Sequence, residues 1–328
     1  MNVEDNIPIV QVAFSVRDRH SARRWYEQVL GYLDSGGMEI QPPGPGEVSA
    51  VERLQGVPGA DTDVCWAVDQ QELFQLEWFQ YRQPVPPEPT QPRRLCDVGY
   101  RMVSFHVPDF DAAIERAASC GTPALTDAVG RAGDRRVCVR DRDGILIELM
   151  ECDPRTPTPS SRPRSASGTA VARSITASVR DLDRSLSFFV DTLGMIPAPD
   201  VRLHVPDHGV LWGLEGARRE EQILWAGDFW LELVCYREPV GKPWPREYLL
   251  SDFGIMNIAL GPRTLAEYRT LLGRVRKRGY TANVESLLPG VATNYTLDDQ
   301  GFSVELVYAE QTMRGALGFL PVTADTQA

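Results

Sequence analysis

The sequence is poor in histidine and contains no long apolar segment. Only four histidines occur among the 328 residues: His20, His106, His204 and His208. No apolar run approaches the roughly 20 residues that a helix needs to cross a bilayer. The acidic N-terminus MNVEDNIPIV has no basic region followed by a long apolar stretch, so we expect no secretory signal. These absences predict a cytoplasmic protein with few imidazoles available for metal binding.

Excess positive charge and paired cysteines are also missing. The chain has 34 basic and 45 acidic residues, which gives a formal net charge of -11. Because an acidic surface repels phosphate backbones and anionic lipids, we expect neither nucleic acid nor membrane as a partner. The six cysteines are scattered and none forms a CxxC pair, which favours reduced thiols over disulfides or a zinc site. The composition is that of a globular protein, and its length suits two domains.

What the chain does contain is an internal duplication. The tetrapeptide SVRD begins at Ser15 and again at Ser178, and LEWFQYRQPV at 76–85 matches LELVCYREPV at 231–240. Each copy closes with an acidic turn, a glycine and an alternating strand, and each copy is itself doubled in the order strand, Asp, helix, Gly. The sequence therefore predicts four modules of one strand, one helix and three strands. Their approximate ranges are 6–82, 98–153, 171–238 and 253–310.

The composition between the second and third modules marks a boundary. The segment DPRTPTPSSRPRSASGTAVA is rich in Pro, Ser and Thr and cannot bury a core, so it is predicted to be a linker. The predicted divisions are a first domain at 1–153, a linker at 154–170, a second domain at 171–312 and a tail at 313–328.

The starts and ends of the modules carry the marks of a known family. The starts follow x-[IV]-[AST]-x-x-V-x-D, and the ends follow D-x-x-G-x-x-[IV]-E-L. In these marks the chain resembles the vicinal oxygen chelate superfamily, which includes glyoxalase I, extradiol dioxygenases and fosfomycin- and bleomycin-resistance proteins. The resemblance covers nearly the whole chain. It implies an α+β fold in which four βαβββ modules form two glyoxalase-like domains with curved, mostly antiparallel sheets.

The resemblance also implies which side chains point into each curved sheet. One is the first-strand residue seven before the Asp, and the other is the Glu of the last strand. The first-strand positions hold Gln11, Met102, Ser174 and Asn257, and the last-strand positions hold Glu77, Glu148, Glu232 and Glu305. None of these positions holds the histidine of a ring-cleaving iron site, so an extradiol-type dioxygenase would need atypical ligands.

Metal binding depends on how the modules pair, and the residues leave both pairings open. If the first module faces the fourth, an all-oxygen set suited to Mg²⁺ or Mn²⁺ results: Gln11, Glu77, Asn257 and Glu305. Sequential pairing gives two other sets, Gln11, Glu77, Met102 and Glu148, and Ser174, Glu232, Asn257 and Glu305. A site that uses no metal is an equal alternative.

Without a metal, a buried carboxylate is the predicted catalytic group. A carboxyl in a partly apolar cavity has its pKa raised and takes up a proton near neutral pH. The candidates are Glu148 and Glu305, with His106 as an acid–base partner because it follows Met102 by four residues on the same strand face. The alternative for His106 is a strand-end histidine bonded to backbone. His204 and His208 fall in a predicted loop, where they could line the mouth of the second cavity.

The favoured function is a lyase or isomerase that moves a proton beside a carbonyl. Tryptophans in or near the predicted strands favour a cyclic or aromatic oxygenated small molecule as substrate. A non-catalytic small-molecule-binding or resistance protein is the first alternative, and the atypical dioxygenase is the second. The predicted partner is a small molecule, and a homodimer is left open.

Overall fold

The chain folds into two open sheets flanked by helices. The computed structural model describes residues 6–42, 44, 46–69, 71–155 and 169–322. Most of the predicted linker, residues 156–168, and the last six residues of the predicted tail lie outside these ranges. The predicted α+β fold class is confirmed by the nine-stranded and seven-stranded sheets.

The helices and strands follow the order of the four predicted modules. The first module contains β1 (Ile9–Ser15), α1 (Arg19–Leu30), β2 (Leu33–Glu39), α2 (Ala50–Gln55), β3 (Asp61–Val68) and β4 (Gln75–Gln83). The second contains β5 (Gly99–His106), α3 (Phe110–Ser119), β6 (Arg136–Arg140) and β7 (Leu146–Met150). The third contains β8 (Val171–Ser178), α4 (Leu182–Leu186), β9 (Ile196–Pro197), β10 (Arg218–Ala226) and β11 (Phe229–Glu238). The fourth contains β12 (Gly254–Leu260), α5 (Leu265–Lys277), β13 (Thr281–Ala282), β14 (Ser286–Leu288), β15 (Val291–Leu297) and β16 (Ser303–Ala309).

The aspartate that ends the repeated SVRD begins a helix in both copies. The Asp18 carboxylate accepts a hydrogen bond from the backbone N–H of Ser21 at 2.8 Å, and Asp181 accepts one from Arg184 at 3.1 Å. Such a bond satisfies an N–H that has no partner within the helix. Gly31 follows α1 with a φ of 75°, a left-handed conformation that glycine adopts without strain.

The helix of the third module departs from the predicted regular winding. It is α-helical from Leu182 to Leu186 and continues as a wider π-helical segment from Ser187 to Thr192. This segment buries the adjacent residues Phe188 and Phe189 completely. A simple amphipathic period predicted a helix here but not its change of winding.

The sheets join the modules in exchanged order. The nine-stranded sheet runs β13-β15-β16-β12-β1-β4-β3-β2, with β14 beside β15, so the first module pairs with the fourth. The seven-stranded sheet runs β6-β7-β5-β8-β11-β10-β9, so the second module pairs with the third. Each sheet therefore takes strands from both predicted domains, and the division into 1–153 and 171–312 describes the duplication rather than the sheets.

One continuous apolar core lies against one face of both sheets. It includes Phe14 and Trp78 of the first sheet, whose rings stack 5.9 Å apart, together with Phe105 and Phe229 of the second. The opposite face of each sheet carries the glutamates and is called the inner face below. Sequence alternation along the strands separates the two faces.

The chain itself covers both inner faces. On the first sheet, Phe319 near the C-terminal end of the described chain is buried against Val10 and Ala259. On the second sheet, a short helix at Pro206–Trp212 and the residues after it bury Leu211 and Leu214 against Met102 and Leu146. The predicted tail thus has a packing partner up to residue 322. No helix among the described residues has the length and apolar character needed to traverse a bilayer.

Candidate functional site

The strand register gathers three predicted residues on the inner face of the first sheet. Glu77 on β4 lies beside Ala13 of β1, and Glu305 on β16 lies beside Ala259 of β12. Gln11 pairs with Ala259 across the β1–β12 ladder. Because the two alanines are small, the longer side chains meet above them. Gln11, Glu77 and Glu305 are called the first-sheet cluster.

Direct hydrogen bonds hold the first-sheet cluster together. The Gln11 side-chain amide donates to the Glu77 carboxylate and, at 3.3 Å, to Oε2 of Glu305. The Trp66 indole N–H donates to Oε1 of Glu77 at 2.7 Å, and the Thr293 hydroxyl donates to Oε1 of Glu305 at 2.6 Å. Each donor is neutral, so the cluster holds two carboxyl groups and no cation.

This lack of a positive partner controls the protonation of both carboxyls. Burial raises the pKa of Glu77 well above its ordinary value, and the nearby charge of Glu305 raises it further. Burial also raises the pKa of Glu305 to about 7, although bonds from Thr293 and Gln11 oppose the shift. Glu305 is 8% exposed, so it keeps limited contact with solvent. The pair therefore retains at least one proton near neutral pH.

The fourth residue of the predicted metal set, Asn257, lies on the same inner face. It pairs with Ala13, which separates it from Glu77. Its amide nitrogen donates to the Ile258 carbonyl at 3.3 Å, while its buried Oδ1 has no hydrogen-bond partner among the described residues. A buried acceptor without a partner is costly, and this one would be satisfied by a cation or a donor.

The donor chemistry of this face fits a hard divalent ion. Two carboxylates and two side-chain amides supply only oxygen ligands once the Gln11 amide is rotated to present its oxygen. The lone Oδ1 of Asn257 and the unneutralised carboxyls of Glu77 and Glu305 are consistent with that fit. Within the described ranges, no group of three or more His, Cys, Asp or Glu residues is arranged as a metal site. Any ion here would therefore depend on the amides as well as the carboxylates.

A pocket of about 370 Å³ lies against residues that are near the cluster in sequence, although none of Gln11, Glu77 and Glu305 lines it. Its wall includes Val10, which precedes Gln11, and Val307, which follows Glu305 by two residues on the same strand. Phe319 of the C-terminal segment forms another part of the wall. Gly318 lies so close to the Trp66 ring that an added Cβ would be 2.5 Å from it. The C-terminal segment is therefore part of the enclosure of the first inner face.

The second sheet places its two glutamates around a histidine. Both carboxylate oxygens of Glu232 lie 2.9 Å from Nδ1 of His204, and Oε2 of Glu148 lies 3.1 Å from Nε2. Arg136 adds an ion pair to Glu148 at 3.1 Å, and the Thr176 hydroxyl donates to Glu232 at 2.6 Å. Glu148, His204 and Glu232 are called the second-sheet cluster. All three side chains are almost completely buried.

Charge balance in the second-sheet cluster reverses the pKa shifts. Burial disfavours the charged imidazole, but Glu232 and Glu148 outweigh it and raise the pKa of His204 to about 9. Burial alone would raise the pKa of Glu148, but the charges of His204 and Arg136 hold it well below the ordinary value. The prediction of a raised pKa at Glu148 is therefore wrong. His204, which was predicted to lie in a loop at the mouth of the second cavity, lies between the carboxylates of Glu148 and Glu232 instead.

The remaining predicted residues do not join either acid pair. His106 lies at the end of β5, where its Nδ1 is 3.9 Å from Asp153, and it contacts neither Glu148 nor Glu305. Met102 is packed in an apolar cluster with Cys138 and Leu146. Ser174 is buried on β8 with its hydroxyl unpaired among the described residues. Glu148 and Glu305, the two predicted bases, belong to different sheets.

Sequence reasoning missed the role of His204. It lies in the connection between β9 and β10, where no periodic pattern indicates which way a side chain points. One signal was present in the sequence, namely Arg136 at the start of the alternating strand RVCVR opposite β7. A basic residue on the glutamate face of β6 indicates that the second sheet neutralises its carboxylates internally.

Comparison with known proteins agrees with this architecture. Residues 10–139 match the family model described as Glyoxalase/Bleomycin resistance protein/Dioxygenase superfamily. Glyoxalase I from Zea mays superposes with a TM-score of 0.60 at 16% identity, over 92% of this chain and 92% of that chain. A candidate dioxygenase from Bacillus subtilis superposes with a TM-score of 0.59 at 12% identity, over 97% of this chain and 98% of that chain. At these identities the likeness shows the fold alone.

No curated protein matches the chain. The family model and the shared fold nevertheless confirm the resemblance that the repeated motifs predicted. Residues 10–139 match the model of the glyoxalase/bleomycin resistance protein/dioxygenase superfamily, and the described chain as a whole shares the fold of glyoxalase I from Zea mays.

Proposed function

We propose that the protein is an enzyme that moves a proton beside a carbonyl group of an oxygenated small molecule, in a lyase or isomerase reaction. The observation that carries the proposal is the first-sheet cluster, where two buried carboxyls meet without a cation and Glu305 has a pKa of about 7. A general base works best when its pKa lies near the working pH. Glu305 meets that condition, whereas Glu148 does not.

The two carboxyls of the first-sheet cluster have different roles in this proposal. Glu305, in its ionised form, takes the proton from the carbon next to the carbonyl. Glu77, whose pKa is raised further by Glu305, stays protonated and donates a hydrogen bond to the oxygen that gains negative charge. The Trp66 indole donates to Oε1 of Glu77 and the Gln11 amide donates to Oε2, so both bonds orient this carboxyl. Donation of a proton from Oε2 to the substrate therefore requires the Gln11 amide to move away from it.

The surroundings support an uncharged cyclic or aromatic part in the substrate. Trp66 and Tyr295 pack in the apolar cluster on this inner face, next to Glu77 and Glu305. The pocket of about 370 Å³ has the size of a small-ligand site, and its wall combines Phe319 with the charged residues Glu72 and Arg314. Flat apolar walls beside two carboxyl groups suit a ring that bears oxygen substituents.

A divalent ion is an optional part of the same proposal. The oxygen donors on the inner face of the first sheet favour such an ion. Gln11, Glu77, Asn257 and Glu305 would hold Mg²⁺ or Mn²⁺ through oxygen atoms. When bound, such an ion would polarise the substrate carbonyl as a Lewis acid. Glu305 and Glu77 would then serve mainly as ligands, so proton transfer would require one of them to keep a free oxygen.

Exchange of substrate hydrogen with solvent deuterium tests the proposal. A panel of cyclic α-hydroxy ketones is incubated with the protein in D₂O. NMR then measures the deuterium label in the product and in the recovered substrate. The Glu305→Gln variant should lower the exchange rate by about 10²–10⁴-fold, the usual contribution of a general base. Glu115→Gln, an exposed helix position far from either cluster in the chain, is the matched control and should exchange normally. Equal rates in Glu305→Gln and the native protein would refute the proposed base.

A binding protein without catalysis is the second candidate, and one observation favours it. The C-terminal segment packs so closely on the inner face that a Cβ added at Gly318 would lie 2.5 Å from the Trp66 ring. A sequestering protein would bind the same ligands without any exchange, and Glu305→Gln would change affinity alone. A ring-cleaving dioxygenase is not proposed, because no histidine contacts Glu77 or Glu305 within the described ranges.

A further inference from the structure

A second cavity lies where the two sheets meet, apart from both glutamate clusters. It has a volume of about 300 Å³ and lies between the ends of β1, β5 and β12 and the turn that joins β6 to β7. The connection between β4 and β5 forms one wall through Pro89 and Arg93. None of the residues of either cluster lines this cavity.

Five arginines line the cavity, in a protein whose net charge is -11. They are Arg17, Arg93, Arg101, Arg140 and Arg142. Among the described residues, Asp143 is the only acidic one in the lining, and it pairs with Arg17 at 3.2 Å. Arg17 also pairs with Glu88, so its charge is already matched. The other four arginines form no ion pair with a carboxylate in the described part of the chain.

Two of these unmatched arginines are fixed in place by backbone carbonyls. Arg101 donates to the carbonyls of Asp97 and Val98, and its guanidinium lies 5.1 Å from the Trp244 ring centroid. Arg140 donates to the Gly144 carbonyl at 2.8 Å and to the Arg93 carbonyl at 3.2 Å. Carbonyl partners orient a guanidinium but leave its charge unneutralised. The site is therefore built before any ligand arrives.

The environment makes these positive charges costly without an anion. Burial lowers the pKa of Arg101 to about 10, and the like charge of Arg93 adds to the shift. Burial also lowers the pKa of Arg140. An anion placed among these guanidinium groups would remove the repulsion between them and satisfy their free N–H donors.

Apolar side chains form the rest of the cavity. Ile145, Ile255 and Phe253 contribute hydrocarbon surface, and Arg17 already lies 4.6 Å from the centroid of the Phe253 ring. A bare inorganic anion would leave this surface in contact with water. A ligand with a charged end and an apolar ring or chain would use both parts of the lining.

We propose that this cavity is a binding site for an organic anion, in which a carboxylate or phosphate group meets the unmatched arginines and an apolar ring contacts Phe253. The site is separate from the first-sheet cluster and does not depend on the reaction proposed there. Planar, bidentate recognition of a carboxylate or phosphate is the chemistry for which arginine is best suited.

Isothermal titration calorimetry at constant ionic strength tests this proposal with simple probes. Benzoate and phenyl phosphate carry the two kinds of anion on the same ring, while benzyl alcohol carries the ring without charge and inorganic phosphate carries charge without the ring. The native protein should bind at least one of the two aromatic anions at least about tenfold more tightly than benzyl alcohol or inorganic phosphate. The stronger of the two identifies the preferred anion.

Matched variants locate the binding. Arg93→Met and Arg140→Met should each weaken binding of the preferred probe by about tenfold or more, since each removes a charged donor. Arg24→Met removes the same charge from an exposed position on α1 and should leave affinity unchanged. Glu305→Gln should also leave it unchanged. Circular dichroism checks that each variant is folded.

Several results would overturn the proposal. They are absence of binding of both aromatic anions at millimolar concentration, equal binding of benzyl alcohol, and equal loss of affinity in Arg24→Met. Loss of binding in Glu305→Gln with retention in Arg93→Met and Arg140→Met would place the anion in the first-sheet cluster instead. If one arginine variant fails to fold, the other decides the outcome.

Discussion

Each sheet presents an equivalent pair of glutamates to its inner face, but only the second sheet has a cation between the two carboxylates. In the first-sheet cluster Glu77 and Glu305 meet neutral donors, and the pKa of each is raised. In the second-sheet cluster His204 lies between Glu148 and Glu232, and the pKa of each carboxyl is lowered. The fold positions the carboxyls, and His204, with Arg136 beside Glu148, keeps the second pair ionised.

This comparison separates a structural site from a chemical one. A buried carboxylate that is paired on both sides is costly to unpair and has no tendency to take up a proton near neutral pH. An unpaired carboxyl in a similar sheet destabilises the fold above its pKa and is available for acid–base chemistry or cation binding. The duplicated architecture thus has one inner face whose carboxylates are neutralised by cationic side chains and one whose carboxyls have no cationic partner.

The largest expected effect follows from removing the internal cation. His204→Ala leaves Glu148 and Glu232 buried with only partial compensation from Arg136, so the free energy of unfolding at pH 7 should fall by about 3–5 kcal/mol. Chemical denaturation measures this loss. His20→Ala, at an exposed position on α1, should change it by less than about 0.5 kcal/mol. A loss below about 1 kcal/mol in His204→Ala would show that the second-sheet cluster is not held by this ion pair.

The same substitution in the two sheets should change stability in opposite directions. At pH 8, Glu148→Gln removes the ionised partner of His204 and Arg136 and should lower the free energy of unfolding by about 2–4 kcal/mol. Glu305→Gln removes a buried charge next to Glu77 and should raise it by about 1–3 kcal/mol in metal-free protein. Denaturation after dialysis against a chelator compares them. Destabilisation of similar size in Glu148→Gln and Glu305→Gln would contradict the proposed difference between the two sheets.

The pH dependence of stability sharpens that distinction further. The folded pKa of Glu305, about 7, is above the unfolded value near 4.5. Glu305 should therefore lower the free energy of unfolding of the native protein by up to about 3 kcal/mol as pH rises from 4.5 to 7. His204 acts in another window. Its folded pKa of about 9 exceeds the unfolded value near 6.5, so its contribution is complete below pH 6.5 and is lost as pH rises through 9.

Denaturation profiles across pH measure both windows. Glu305→Gln should reduce the decline between pH 4.5 and 7, leaving the part caused by Glu77, and should keep the decline near pH 9. His204→Gln should do the reverse. A profile in which neither variant alters its own window would contradict the assigned protonation states.

The smallest expected effect concerns divalent ions. Mn²⁺ at about ten times its dissociation constant should stabilise the native protein by about 1–2 kcal/mol if it binds the first-sheet cluster. Glu305→Gln and Asn257→Ala should abolish the stabilisation, whereas Glu148→Gln should retain it. Thermal unfolding with and without Mn²⁺ provides the readout. Stabilisation that depends on Glu148 instead would place the ion in the second sheet.

Much of the fold could be predicted from sequence because its signals are local. The repeated SVRD contains the helix-capping Asp18 and Asp181, and alternation in the last strands places Glu77 and Glu305 on one face. These features depend on neighbours within a few residues. The inward positions of Gln11 and Asn257 followed from the family resemblance rather than from local signals.

The module pairing and the second-sheet cluster depend on distant contacts. Alternation is the same whether β1 pairs with β5 or with β12, so the sequence left both pairings open. The exchanged order decides that Gln11 meets Glu305 rather than Met102. His204 lies in a connection without periodicity, and its contact with Glu148 crosses between two modules. The homodimer stays an open possibility, and the cytoplasmic location stays a prediction.

Carboxyl-carbon NMR titration tests the difference between the two sheets most directly. Glutamate labelled with ¹³C at the side-chain carboxyl is followed in metal-free protein from pH 4 to pH 9, and the Glu305→Gln and Glu148→Gln variants assign the signals. The Glu305 signal is predicted to titrate near pH 7, while the Glu148 signal stays ionised down to pH 4. Titration of both carboxyls together near the ordinary glutamate pKa would contradict the account.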